Sequence, residues 1–447
     1  MSASSFASWM LSQEARALLT RLERIKSFAM SETMVPAATL SMEAQAAVER
    51  YLIQGRRELR TQLHRYIAWM EGPEGRRATP AEAQRRFTFL RLRFNVVLSH
   101  FDIFSEALSQ RSEAENGVWL AGLDVLSRDA LALPGYYEVP PVICYLARGP
   151  GAAIRRARTR LPGGGPNPAA IIRIPRERMI GSSLASSLFH EVGHQGAALL
   201  DLVASLRGAL QDIAREGSGD ALAWSLWERW MSEVVADAWS VARLGVTSTM
   251  GLMGVVSLPR PFVFRLDVDD PHPVPWIRVK LSCALGAHLF PHPQWARLSH
   301  LWEEFYPVRG LSRQYRQVLD ALEASLPRFA RFLMEHRPAS LRGHSLAEVL
   351  KTQERQPARL GALYRTWRER RSGIREASPS LVFAVIGQAR ADGVISPEEE
   401  SQVLAELLKY WALRGTLDAS ETCASRSKSR ALASALRVPT LPRNSVT

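Results

Sequence analysis

The run from Ser182 to Val203, SSLASSLFHEVGHQGAALLDLV, constrains this chain more than any other stretch. No proline interrupts it. Phe189, Val192, Gly196, Leu199 and Val203 recur at three- and four-residue steps, the period of one helix face. At its centre stands His190-Glu191-Val192-Gly193-His194. Residues i and i+4 lie one above the other on the same side of a helix, so the imidazoles of His190 and His194 stand side by side. Two neutral imidazoles in that arrangement can bind one zinc ion, with Glu191 beside it as a general base. The competing explanation is a pair of histidines exposed on a solvated helix, and residues further along the chain weigh against it.

Two histidines are not a catalytic site. A third ligand is needed, with a fourth position left for water. A histidine six residues after His194 would serve, but Leu200 stands there. Asp201 follows one position later and lies two helical turns along, a difficult reach. Glu233 lies on the next long helical pattern, Asp220 to Arg243 (DALAWSLWERWMSEVVADAWSVAR), which Gly245 follows as a stop. Glu233 and Asp237 are at i and i+4 and face the same way. Carboxylates in a helix packed with Trp224, Trp227, Trp230, Val234 and Trp239 want partners. Glu233 as a ligand, with Asp237 accepting a hydrogen bond from a ligand histidine, satisfies both. The plainer alternative puts both on the solvent side of an amphipathic helix.

A chain of 447 residues has room for roughly two to four domains. Its net charge of +13 raises nucleic acid as a partner. The basic residues are dispersed, however. Arg56, Arg57, Arg60, Arg85, Arg86, Arg91 and Arg93 sit on helical stretches without aromatic interleaving, and only Lys26, Lys280, Lys351, Lys409 and Lys428 are lysine. That bias reads as the codon usage of a GC-rich bacterial genome, not as a nucleic-acid surface. Cys144, Cys283 and Cys423 are far apart and odd in number, so a disulfide framework is not expected and a cytoplasmic location is. The N-terminus shows no basic region followed by an apolar one. The most apolar stretch, Val246 to Phe264, is broken by Pro259, Arg260 and Pro261, so no membrane span is expected.

Along the chain, residues 1–132 read as a helical module. Ala15, Leu18, Leu19 and Leu22 form a first apolar stripe, and Thr79-Pro80-Ala81-Glu82 is a capping box that starts a helix. Its expected role is packing or partner binding. Residues 133–375 hold the histidine helix. Pro140 to Leu146 reads as a strand, Gly149 to Pro168 as loop, and Ala169 to Ile174 as a second strand. The loop's Leu161-Pro162-Gly163-Gly164-Gly165-Pro166 lacks the Gly-Lys-Ser/Thr ending of a phosphate loop. An edge strand beside the metal helix could pair with an extended peptide. His288, His292 and His300 are expected to be structural. Residues 376–417 read as a helical hairpin with a turn at Ala391-Asp392-Gly393-Val394-Ile395. There Gln388 and Arg390 occupy the places of acidic calcium ligands, which argues against calcium. Residues 418–447 read as a disordered tail.

With these residues in view, Pro140 to Leu281 resembles the zincin metallopeptidases of the gluzincin group. HEVGH at 190–194 and SEVVAD at 232–237 carry the likeness, and DPHPVPWIRVKL at 270–281 is similar to a segment of the HtpX-type peptidases. The chain departs from the latter in lacking transmembrane helices, so their substrates and location do not carry over. The resemblance implies an α+β, mostly helical fold with a small sheet over the active-site helix. It implies a zinc-dependent peptidase with metal ligands His190, His194 and Glu233 and catalytic Glu191. Asp237 would support a ligand histidine, and His272 and Arg278 would be the oxyanion-stabilising candidates. The expected partner is a protein or peptide substrate, with a further protein bound through the helical modules. The residues Ala391 to Glu399 resemble the hairpin of TerB-like domains, which implies an accessory interaction module. The alternative is a non-catalytic zincin acting as a metal-binding scaffold.

Overall fold

A computed structural model describes residues 3–149, 151–176, 181–215, 221–267, 269–370 and 372–435. The chain is mostly helical, with one small three-stranded sheet. No helix among the described residues is long and apolar enough to cross a membrane.

The sheet is the layer that everything near the site is stacked on. Its strands are β1 (Val142–Ala147), β2 (Ala153–Arg155) and β3 (Ala170–Pro175). β3 is central, parallel to β1 with Val142 opposite Ala170, and antiparallel to β2 with Ile154 opposite Ile172. Successive side chains on a strand point to opposite faces. Ile143 and Ile171 accordingly pack into the N-terminal helices, whose core includes Leu18, Leu52, Leu63, Phe87 and Phe104. Cys144, Leu146, Ile172 and Ile174 point the other way, onto Leu188, Phe189 and Val192 of the HEVGH helix (Ser182–Leu199). The sheet is therefore buried on both sides, as its near-continuous apolar strands require.

The two sheet edges differ. Side chains seal β1: Gln110 hydrogen-bonds both the N–H and the C=O of Leu146, Asp124 accepts from Cys144 N–H at 2.7 Å, and Arg111 donates to Cys144 O at 2.7 Å. Among the described residues β2 has no strand on its outer side. The second expected strand is thus the middle of the sheet, not an edge. The edge is β2, three residues inside the segment that the sequence marks as loop.

Helices Ala3–Arg24, Met42–Glu71 and Pro80–Ser109 form the N-terminal bundle. Thr79 caps the last of them by accepting from Glu82 N–H. The glycine-rich turn between β2 and β3 is held against this bundle by His100 at Pro162 O and by Arg93 at Gly163 O. A Cβ on Gly164 would stand 2.2 Å from the His100 ring, so glycine is required at that close approach.

The region beyond the HEVGH helix is built on aromatic packing, with Trp227, Trp230, Trp239, Trp276, Trp295, Trp302 and Phe329 in one cluster. The single helix expected over Asp220 to Arg243 is two: Ala221–Arg229 and the Glu233 helix, Met231–Leu244. They break at Trp230, whose carbonyl accepts from both Glu233 N–H and Val234 N–H. Asp220 lies outside the described residues. The C-terminal hairpin consists of helices Pro379–Ala391 and Pro397–Ala435. Ser396 and Glu399 cap the second reciprocally. Phe383, Val385, Leu404, Leu408 and Trp411 bury the hairpin in the same core as the sheet and the HEVGH helix. Its last helix continues past Asp418, where the sequence suggests a tail; residues 436–447 lie outside the described residues.

Candidate metal centre

The HEVGH and Glu233 helices touch backbone to backbone. A Cβ on Gly193 would lie 2.8 Å from Ala236 Cα, and one on Gly196 would lie 2.5 Å from the Trp239 ring. Any larger residue at either glycine would hold the helices apart. This closeness brings Glu233 over the histidine pair.

Three side chains converge as a result. His190 Nε2 is 3.2 Å from His194 Nε2 and 3.1 Å from Glu233 Oε2, and His194 Nε2 is 3.4 Å from Glu233 Oε1. All three lie on the inner wall of the site, and Glu233 is 7% exposed. Two ring nitrogens facing one another at this distance, with a carboxylate across from both, match the donor set of a metal-ion site. Donors tetrahedrally arranged about a zinc ion at 2.0–2.1 Å stand about 3.3 Å from each other. The two ring nitrogens have that spacing, and with one oxygen of Glu233 the three donors lie within 4.8 Å of one another. Three protein donors would leave a four-coordinate ion one position for water, and Glu191 lines the cavity next to His190.

The surrounding groups fix the tautomers. His190 Nδ1 donates to Asp237 Oδ1 at 2.8 Å; in the neutral ring this would turn the Nε2 lone pair to the centre, whereas in the metal-free chain Nε2 hydrogen-bonds Glu233 Oε2 at 3.1 Å. His194 Nδ1 lies 3.5 Å from Ser232 Oγ. Asp237 is gripped from its other side by Arg278, whose Nε and Nη2 donate to Oδ2 and Oδ1 at 2.7 and 2.8 Å. Burial would lower the His190 pKa, but the Asp237 carboxylate and the Glu233 hydrogen bond override it, and the value is pushed up to about 9 in the metal-free chain. For Glu233, burial is outweighed by the hydrogen bonds from His190 and His194, which hold the carboxyl well below the usual range. For Asp237, burial is likewise outweighed by Arg278 and His190, with the same result.

Glu191 is 8% exposed, lines the cavity next to His190, and makes no hydrogen bond to a described residue. His272 sits at the rim, about half exposed, with Nε2 3.2 Å from Glu233 Oε2. Asp270 steers it by accepting from the His272 backbone N–H at 2.9 Å and from Nδ1 at 2.6 Å. Arg278 is drawn into the Asp237 pair and so acts on the centre through Asp237 and His190.

The structure thus brings together His190, Glu191, His194, Glu233, Asp237, His272 and Arg278. Asp201 does not join them. It is exposed at the end of the HEVGH helix, in a left-handed turn with φ of 50°. His288 and His300 pair with glutamates away from the centre. Sequence reasoning missed Ser232 and Asp270. The only signal for Asp270 is its position two residues before His272, where an aspartate commonly hydrogen-bonds the backbone ahead of it.

Comparison of the chain with protein-family models, with curated proteins and with solved structures gives no match.

Proposed function

We propose that this protein is a zinc-dependent peptidase. The observation that carries the reading is the convergence of His190 Nε2, His194 Nε2 and Glu233 within 3.1–3.4 Å of one another, with Glu191 lining the cavity next to His190. Zinc held by these three residues would supply Lewis-acid activation of a water molecule. Glu191 takes the proton from the attacking water and returns it to the leaving amine, the work of a general base followed by a general acid. His272, at the rim, is in place to donate a hydrogen bond where negative charge develops on the carbonyl oxygen. Asp237 and Arg278 hold His190 in the tautomer that metal binding needs.

The substrate side of the reading rests on β2. It is an edge strand of the sheet, with only its last carbonyl, Arg155 O, taken by a side chain, that of Asn167, among the described residues, and Gly151 and Ala152, just before it, line the same cavity as His190 and Glu191. An extended peptide laid along β2 would run its backbone past the centre.

The test has two parts. Purified protein should carry about one zinc per chain, lost or much weakened in Glu233→Ala. Glu191→Gln should keep its zinc and lose peptide cleavage by about 100-fold or more. A chain that neither holds zinc nor can be loaded with it defeats the proposal. Zinc bound without cleavage of any protein or peptide by the wild type returns the scaffold alternative.

A further inference from the structure

The cavity beside the metal centre continues inward past the catalytic residues. It is a space of about 140 Å³ between four helices: the HEVGH helix, the Glu233 helix, Val246–Val256 and Pro275–Leu289. Each of the four helices contributes a serine, namely Ser186, Ser240, Ser248 and Ser282, and each of these is buried. Pockets for substrate side chains are mostly apolar with a few placed polar groups. This cavity has the same make-up: most of its lining is apolar, from Ala152, Leu252 and Val255 among others, and the serine hydroxyls are its placed polar groups.

The hydroxyls are ordered. Ser248 Oγ donates to Ser240 Oγ at 2.8 Å, and Ser240 Oγ donates to Ser186 O at 3.2 Å. Ser282 Oγ shares a hydrogen bond with Thr249 Oγ1 at 2.7 Å. A serine that has spent its one hydrogen keeps acceptor capacity. Ser248 therefore faces the cavity as an acceptor. A donor lines the same cavity: Arg278 uses Nε and Nη2 on Asp237, while its Nη1 makes no hydrogen bond to a described residue.

We propose that this pocket selects substrates with a small, uncharged, hydrogen-bonding side chain next to the scissile bond, an asparagine above all, with serine and threonine also admitted. The inference rests on the metal-centre reading for its site and adds the substrate class. An amide matches both kinds of partner, its NH₂ toward Ser248 and its oxygen toward Arg278. A carboxylate would face the acceptor hydroxyls and lie near Asp237 and Glu191. An isobutyl group of the same shape would leave the spare acceptor capacity of Ser248 and the Arg278 Nη1 donor unmatched. Size sets the upper limit, because a cavity of about 150 Å³ holds a benzene ring and little more.

The test uses the zinc-loaded full chain and four peptide hydroxamates. They differ only in the side chain next to the zinc-binding group: carboxamidomethyl, isobutyl, carboxymethyl or indolylmethyl. Dissociation constants are measured by calorimetry. The amide should bind at least about tenfold more tightly than its isobutyl isostere. That ratio should fall toward one in Ser248→Ala, and again in Ser282→Ala if the first variant does not fold. Wild type that binds isobutyl or indolylmethyl as tightly as the amide overturns the proposal, as does a ratio unchanged in both variants. A chain that sorts the hydroxamates as stated but cleaves no peptide overturns the peptidase reading alone. Failure of all four to bind overturns both.

Discussion

Asp237 Oδ1 accepts a hydrogen bond from His190 Nδ1 at 2.8 Å while the same carboxylate is clamped by two nitrogens of Arg278. His190 is thus oriented by a carboxylate that is itself oriented. Replacing Asp237 by Asn keeps the shape but removes the charge and allows the His190 ring to turn. Zinc affinity should fall by about 10- to 100-fold, read by competition with a chromophoric chelator. Unchanged affinity would mean that Asp237 serves only the packing of its helix.

The same pair sets a pH dependence. In the metal-free chain His190 holds its proton up to about 9, against an ordinary value of 6.5. Metal binding needs the neutral ring and so expels that proton. Below the raised value each unit of acidification should weaken zinc binding about tenfold. For the metal-free fold the sign is opposite. A raised pKa contributes stability that is fully present below about 6.5 and is lost as the pH rises through about 9. Denaturant unfolding of chelator-treated protein at a series of pH values checks the second statement, and zinc competition at the same pH values checks the first.

Arg278 is 12% exposed and Asp237 7% at the side chain. Arg278→Leu would leave Asp237 buried and unpaired on that side, which costs about 3–5 kcal/mol when one partner of a buried pair is removed. Combining it with Asp237→Asn should recover part of that loss, because the stranded charge is then absent. A strictly additive double variant would show that the two side chains do not depend on each other.

Gly193→Ala and Gly196→Ala should each destabilise the protein, by about 1–3 kcal/mol, since the added methyl meets backbone or a packed indole. Both should also weaken zinc binding, because they move Glu233 away from the histidines. Gly208 supplies the control. It is exposed on the helix Leu202–Arg215 with nothing within 4 Å of an added Cβ. Alanine there should be neutral or raise stability by up to about 1 kcal/mol.

The centre itself was largely legible from the chain. His190 and His194 are a local pair at helical spacing, and Glu233 with Asp237 repeats that spacing inside a tryptophan-rich helix where carboxylates need a reason. The mostly helical class with a small sheet was legible for the same reason, since periodicity is a local signal. What escaped is non-local. β2 is three residues, Ala153–Arg155, and exists only because β3 offers it a partner. The break at Trp230 has no glycine or proline to mark it in the sequence. Ser186, Ser240, Ser248 and Ser282 are spread over about a quarter of the chain and share no spacing; only the crossing of four helices makes them one surface.

The glycines between the HEVGH and Glu233 helices have a consequence for which ion the protein can choose. Side-chain ligands on mobile elements adapt their spread to the cation. Here the spread is gauged by two main chains in contact, with Gly193 against Ala236. A wider cation of the calcium kind, seeking six to eight oxygens at about 2.3–2.6 Å, cannot widen the gap without prising the helices apart. On the proposed reading of the site, discrimination among metals would in this sense be built into the backbone, ahead of any preference of nitrogen or oxygen donors.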